Sequence, residues 1–368
     1  MVDSFFNSPK NKINNMKLFF YSIYSDTILN DRKPPVAIGG ADVQMAMWTR
    51  SFAKKCNVYT FSYYLNRLFA PNGWGIHFCF FPLVRKVMFL LNRIKPLALL
   101  LAKPDIVILR SIPSEIKIVE WVRKKLNIEM MFMIASDMDV NPEAFGWDKR
   151  FPEMIKKADY VIAQNKYQYE MATRKLGVKN IAVIPNVWDS DMFGTLHSDK
   201  IYDYIWVGNF REIKRPEWIV DIAEANPQKS FAVIGASLGN YGQLCKKFSE
   251  LQNVEYLGSK TLFETTRLVA QSRCLLCTSV KEGFPNTFLQ ALSCNVPIIS
   301  TVNPNEMIEK YKLGFVANTV EDFNSLIQNN AVLGIKSEDI AAYFENNHSI
   351  DRGMQIINAL LLKNDEKH

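Results

Sequence analysis

A chain of 368 residues is longer than one hydrophobic core ordinarily organises, and it implies two domains of about 150–200 residues each. With 48% hydrophobic, 22% charged and 12% aromatic residues, the composition is that of a well-cored globular protein and excludes disordered, collagenous and mucin-like classes. The net charge of +7 is uneven: residues 1–190 carry 27 Lys+Arg against 16 Asp+Glu, and residues 191–368 carry 17 against 21. A basic first half points to a polyanion or an anionic membrane face, although a solvated lysine-rich surface has the same composition.

Residues 1–15 are mixed polar and show no secretory signal, which makes Met16 a candidate start. Strand patterns then occupy Lys17–Tyr24, Asn57–Ser62, Asp105–Leu109, Met130–Ala135, Tyr160–Ala163 and Ile181–Ile184. Helical patterns lie between them at Ala41–Lys55, Ile116–Leu126 and Tyr167–Leu176. The most apolar stretch, 83–102, is interrupted by Arg93, Lys95 and Pro96 and is too short to cross about 30 Å of hydrocarbon. With Arg85, Lys86, Arg93 and Lys95 and no acid, it suits an amphipathic segment on an anionic bilayer, or a core helix with solvated basic ends.

A polar, irregular stretch from Ile184-Pro-Asn-Val-Trp-Asp to about Lys200 reads as a linker. A second series follows: strands at Tyr204–Gly208, Ser230–Gly235, Val254–Leu257, Cys274–Thr278 and Val296–Ser300, with a helix at Pro216–Ala225. Strands alternating with helices mean parallel sheets covered on both faces, and two such series mean two doubly wound α/β domains with a cleft between them as the default ligand site. The expected boundaries are 1–186, 187–345 and a C-terminal segment 346–368. Its helix near Ile350–Lys363, with apolar Ile356, Ile357, Leu360 and Leu361, returns to the first domain.

The six cysteines are few and scattered, which fits a reducing compartment better than a disulfide framework. Cys274 and Cys277 form C-x-x-C, but on a strand positions three apart face opposite sides, so both read as core residues and no metal is expected. No H-E-x-x-H, G-x-S-x-G or Walker loop occurs, and the four histidines fall in no catalytic pairing. Ile38-Gly-Gly-Ala-Asp-Val-Gln precedes a helix without G-x-G-x-x-G spacing, which disfavours a nicotinamide dehydrogenase.

The strongest signal is Thr278-Ser-Val-Lys-Glu-Gly-Phe-Pro-Asn-Thr-Phe-Leu-Gln-Ala-Leu: a strand end, a loop, and a helix with Pro at its start. Free N–H groups and the positive dipole end there suit a phosphate, with Glu282 just before it. A plain strand–loop–helix turn has the same pattern.

This stretch resembles the Glu-x7-Glu region of the retaining, nucleotide-sugar-dependent glycosyltransferases of family four (group 1), which have the GT-B fold. Ile184-Pro-Asn-Val-Trp-Asp, Val207-Gly-Asn-Phe-Arg-Glu-Ile-Lys-Arg-Pro, Asn253-Val-Glu-Tyr-Leu-Gly and Ala291-Leu-Ser-Cys-Asn-Val-Pro-Ile-Ile-Ser resemble further family motifs in the same order. The resemblance implies that the first domain binds the acceptor and the second the donor. It implies a sugar contact for Glu282 and a diphosphate contact for Lys214. The backbone of Gly283, Phe284, Pro285, Asn286 and Thr287 would line the diphosphate, with Gly39 and Gly40 as a second glycine-rich approach. The family's Arg falls on Asn209, with Arg211 as its substitute, and its second Glu falls on Gln290, read as a ribose contact or as part of a capping box with Thr287. Its His-Asp falls on Ser136-Asp137, leaving Asp137 as the acceptor-hydroxyl contact, with Ser136 and Asp139 as further acceptor contacts and Asp139 on the same side as Asp137 if the strand continued.

The implied activity is transfer of a sugar from a nucleoside-diphosphate sugar to a glycan or lipid-linked acceptor in surface polysaccharide synthesis. It would need no metal or cofactor and no nucleic acid, and would take place in the cytoplasm or peripherally at an anionic membrane. A non-catalytic nucleotide- or glycan-binding subunit would tolerate the departures at Asn209, Ser136 and Gln290, and a nucleotide-sugar epimerase shares the fold.

Overall fold

The computed structural model describes residues 16–32, 39–62, 76–80, 97–110, 116–145, 148–194, 196, 199–237, 241–282 and 284–365. The expectations for residues 1–15, for 83–96 and for Gly283 lie outside the described residues.

Two parallel sheets organise the chain. The first has seven strands: β1 (Lys17–Phe20), β2 (Asn57–Ser62), β3 (Ile76–Phe80), β4 (Ile106–Leu109), β5 (Glu129–Met133), β6 (Tyr160–Ala163) and β7 (Ile181–Val183). Their order is β3-β2-β1-β4-β5-β6-β7. The second has six: β8 (Tyr202–Val207), β9 (Phe231–Ile234), β10 (Val254–Gly258), β11 (Ser272–Cys277), β12 (Ile298–Ser300) and β13 (Gly314–Val316), in the order β10-β9-β8-β11-β12-β13. The first six strands of one sheet and all six of the other thus follow the 3-2-1-4-5-6 order of the doubly wound Rossmann sheet. Central strands such as Ile106–Leu109 and Phe231–Ile234 are buried throughout, as helices on both faces require, which is why they read as unbroken apolar runs rather than alternating ones.

The chain divides into two compact units, one of residues 1–30, 41–185 and 350–368, the other of 31–40 and 186–349. The last helix, Ile350–Asp365, belongs to the first unit and packs against β7. Met354, Ile357 and Leu361 are its buried stripe, spaced three and four residues apart. Aromatic residues fill both cores: Phe19, Phe61, Phe132 and Phe151 in the first, Trp206, Phe210, Phe231 and Phe248 in the second. Cys274 and Cys277 are buried in the second, and burial raises both thiol pKa values, so they serve as small apolar residues.

One glycine is fixed by a close approach. A Cβ added at Gly235, just past β9, would lie 1.9 Å from the carbonyl oxygen of Gly208, just past β8. Gly235→Ala must therefore pry the ends of two central strands apart. It should lower stability by more than about 2 kcal/mol, whereas Gly242→Ala, with open space around its Cβ, should cost nothing. Thermal unfolding of the two variants side by side checks this; equal midpoints would contradict it.

Candidate active site

In the second sheet the strand order reverses between β8 and β11, and in open α/β sheets ligands bind at that switch point, outside the carboxyl ends of the strands. The loops leaving β8 and β11 are laced together there. Trp206 Nε1 donates to Thr278 Oγ1 (3.0 Å), and Thr278 Oγ1 donates to the Lys214 carbonyl (2.7 Å). Arg215 Nε donates to the Thr278 carbonyl (2.7 Å), and the Val280 amide to the Ile213 carbonyl (2.8 Å). Arg215 has φ 45° and lays its guanidinium over the Trp218 ring at 3.8 Å, which turns the chain sharply after Lys214.

This lacing brings together two residues 68 positions apart. Lys214 Nζ donates to Glu282 Oε1 in a half-buried ion pair, and Ser279 Oγ donates to the same carboxylate oxygen at 3.0 Å. Their side chains are 28% and 18% exposed, enough for a ligand to reach and too little for water to screen the pair fully. Each charge compensates the other. Arg211, three residues before Lys214, is exposed and has no side-chain partner among the described residues, so a second cation is available on the same loop. Asn209 lies half-buried between Gly208 and Phe210, whose amides are bonded to the carbonyls of Ile234 and Ala236.

After Glu282 the chain enters the helix Asn286–Ser293. Pro285 is its N-cap, with φ −65°, and no side chain caps the helix, whose first-turn amides include that of Thr287. The alternative Thr287–Gln290 capping box does not form, because Pro285 rather than a residue able to bond reciprocally with Gln290 holds the cap position. Gln290 instead points inward, 4% exposed, and donates through Nε2 to Thr266 Oγ1 at 3.2 Å. Phe284 is half-buried, and its carbonyl accepts from Asn186 Nδ2 (3.4 Å), which also reaches Asn286 Oδ1 (3.5 Å). Asn286 Nδ2 donates to the Gly40 carbonyl at 2.9 Å; Gly39 is exposed coil just before it. A Cβ at Gly40 would come within 2.7 Å of Asn286 Nδ2, so glycine at 40 permits this contact.

Sequence reasoning did not single out His348. It is 1% exposed, contacts the Asn186 carbonyl through Nδ1 (2.8 Å) and the Tyr343 hydroxyl through Nε2 (3.2 Å), and packs its ring on Phe284 at 4.6 Å. The Trp188 amide also donates to the His348 carbonyl (2.8 Å). Asn186 and His348, near the two ends of the second unit, are thereby clasped to each other and to the loop carrying Glu282. Burial lowers the His348 pKa to about 4, with the Asn186 carbonyl opposing the shift, so the ring is neutral at pH 7. Nδ1–H is then the donor to Asn186, and Nε2 accepts from Tyr343.

In the first unit the structure corrects the reading of Ser136 and Asp139. The strand does not continue: β5 stops at Met133, and Ser136 caps the short helix Asp137–Val140. Asp139 closes a capping box, its Oδ2 accepting from the amides of Ala135 (2.9 Å) and Ser136 (3.1 Å), and it is 1% exposed. Asp137 is half-buried, with Oδ1 accepting from Asn165 Nδ2 (3.1 Å) and Gln168 Nε2 (2.9 Å). At the carboxyl ends of the neighbouring strands lie two buried polar side chains the sequence reading passed over. Arg110, next after β4, has its pKa lowered by burial to about 10 while Asp139 and Asp42 oppose the shift, so it stays charged. Asp26, fully buried, accepts from Ser62 Oγ and from Asn30 Nδ2.

Residues 202–330 match the family described as Glycosyl transferases group 1. The chain resembles the group 1 glycosyltransferases. Across 181 residues it is 27% identical to an uncharacterized glycosyltransferase of Methanocaldococcus jannaschii, a match covering 42% of this chain and 43% of that protein. Across 142 residues it is 25% identical to the O-antigen biosynthesis glycosyltransferase WbnH of Escherichia coli, covering 38% of this chain and 41% of the other. These matches thus span less than half the length of the curated relatives. The fold extends further. HepE of Anabaena, solved in complex with UDP-glucose, superposes with a TM-score of 0.69 at 15% identity, covering 95% of this chain and 100% of that one. Sucrose-phosphate synthase of Thermosynechococcus elongatus superposes with a TM-score of 0.71 at 12% identity, covering 96% and 100%. The two-sheet architecture is that of the GT-B glycosyltransferases, and the matched family region contains Lys214, Glu282 and the helix Asn286–Ser293.

Proposed function

We propose that this protein is a retaining glycosyltransferase that binds a nucleoside-diphosphate sugar on its second unit and an acceptor hydroxyl on its first. The observation that carries the reading is the Lys214–Glu282 pair at the switch point of the second sheet, next to an uncapped helix start. Cleavage of the anomeric bond leaves a dianionic diphosphate, and charge stabilisation is needed where that charge develops. Lys214, Arg211 and the Thr287 amide supply it, with the loop through Phe284, Pro285 and Asn286 lining the phosphates and Asn209 and Gly40 beside them. Once the diphosphate takes Lys214, Glu282 is released to accept hydrogen bonds from the sugar. Gln290 offers Oε1 to the ribose, because its Nε2 is already given to Thr266. Asp137 is the contact for the acceptor hydroxyl through Oδ2. The acceptor is a glycan or lipid-linked glycan, and the protein works in the cytoplasm, peripherally at the inner face of the membrane. The UDP-glucose in HepE and the O-antigen role of WbnH support a nucleotide-sugar donor and a surface-polysaccharide product.

A thermal-shift screen against UDP, GDP, ADP and CMP sugars tests the donor. One of them at 100 times Kd should add about 2.7 kcal/mol to stability, and transfer with that donor should persist in EDTA. No shift with any of them, or release of a sugar isomer from donor alone without an acceptor, would overturn the assignment.

A further inference from the structure

The predicted membrane segment lies mostly outside the described residues, and only its end, Leu97 with the helix Ala98–Ala102, is described. A different element carries an exposed amphipathic face. In the helix Ile116–Leu126, Val119 and Val122 are buried in the core of the first unit. The opposite side presents Trp121 with Lys117, Lys124 and Lys125 each three or four residues from it, all exposed. Trp121 is 54% exposed and Lys125 Nζ lies 5.3 Å from its ring centroid. The helix Ala98–Ala102 packs alongside and adds Leu101, 86% exposed, and Leu97, 40% exposed, followed by exposed Lys103.

The charges on this surface are mainly basic, and exposed Asp105 near Lys103 accepts from the Lys17 amide (2.7 Å). The neighbouring Glu120 is taken by Lys157 (2.9 Å), and Arg123 is spent on Asp159 (2.7 Å). Lys103, Lys117, Lys124 and Lys125 have no carboxylate partner among the described residues. We propose that this face, centred on Trp121, docks on an anionic lipid surface, with the lysines at the headgroups and Trp121, Leu97 and Leu101 at the acyl boundary. An indole flanked by long basic side chains matches the interface between water and hydrocarbon, where an amphipathic ring and snorkelling ammonium groups are both satisfied. A nucleic acid would be served by the lysines alone, and exposed leucines would gain nothing from it. The proposal deepens the peripheral location proposed above and is independent of the transfer chemistry. Vesicle binding without nucleotide binding would leave it standing, and the reverse would remove it alone.

The test is co-sedimentation of the full chain with vesicles of phosphatidylcholine and of phosphatidylcholine mixed with phosphatidylglycerol, across a salt series. Binding is expected only to the anionic vesicles and should weaken as salt rises. Changing Lys117, Lys124 and Lys125 together to Gln should weaken it roughly 100-fold, at about fivefold per lysine. Trp121→Ser should cost about tenfold. All four side chains are on the surface, so circular dichroism should be unchanged, and Trp121→Ser should abolish any blue shift in emission that vesicles induce. Equal partitioning onto neutral vesicles, wild-type binding by the triple variant, tighter binding to a short RNA than to vesicles, or a dimer that shields Trp121 would each overturn the proposal.

Discussion

Lys214→Ala should lower kcat by roughly 10²–10³ and weaken binding of the free nucleoside diphosphate, because it removes a cation from where the leaving group's charge develops. Glu282→Gln should lower kcat by a similar factor, yet bind the diphosphate at least as tightly as the wild type. The ion pair is the reason. In the ligand-free protein Glu282 holds Lys214, and a ligand phosphate must compete with that carboxylate; the neutral amide competes less. The double variant should lose less than the product of the two single losses, since the residues interact directly. Steady-state kinetics with isothermal titration of the diphosphate separates these effects. Transfer at the wild-type rate in both variants would remove the catalytic assignment, and weaker diphosphate binding by Glu282→Gln would remove the competition argument.

The fold was legible where strands are long and buried. The runs at Asn57–Ser62, Tyr160–Ala163 and Tyr204–Gly208 are apolar enough to announce strands, and their alternation with helices yields two parallel, doubly wound sheets, though not the order of strands within them. β13, three residues at the sheet edge, is too short to show a period, and it went unread together with β3. In the candidate site, Lys214 and Glu282 were singled out through motif resemblance, but their pairing was not, because it depends on a lacing through Thr278 that joins residues more than 60 positions apart. The error at Asp139 was avoidable. Ser136-Asp-Met-Asp139 carries a helix-start signature, and a cap turns the second acid back onto the backbone rather than along a strand face. Arg110 also left a trace, as a charge directly after four apolar strand residues, at the strand end where α/β proteins place their polar groups.

His348 left none, since its burial comes from the chain returning to Asn186 after 162 residues, and it carries the second large prediction. Its pKa falls from 6.5 to about 4 on folding, because burial disfavours the charged ring. The folded state therefore binds fewer protons than the unfolded state between these values, and stability falls with acidification. Above pH about 6.5 both states are neutral and the full stability is present. As pH falls from about 6.5 toward 4 the unfolded chain takes up the proton first, and about 3 kcal/mol is lost across that window. His348→Gln can still donate to the Asn186 carbonyl but does not titrate. It should be somewhat less stable at pH 7.5, having lost the ring against Phe284, and flatter between pH 6.5 and 4.5. Urea unfolding midpoints at a series of pH values compare the two proteins, and parallel profiles would rule out His348 as the titrating group. The same protonation reaches the candidate site, because the carbonyl that accepts from His348 belongs to the residue whose amide holds Phe284 and Asn286. A charged ring must donate Nε2–H to the Tyr343 oxygen instead of accepting from it, and the buried charge weakens the clasp. The folded ring takes up its proton only as pH falls to about 4, so affinity for the nucleotide sugar should hold between pH 6.5 and 4.5, decline near pH 4 in the wild type, and stay level in His348→Gln.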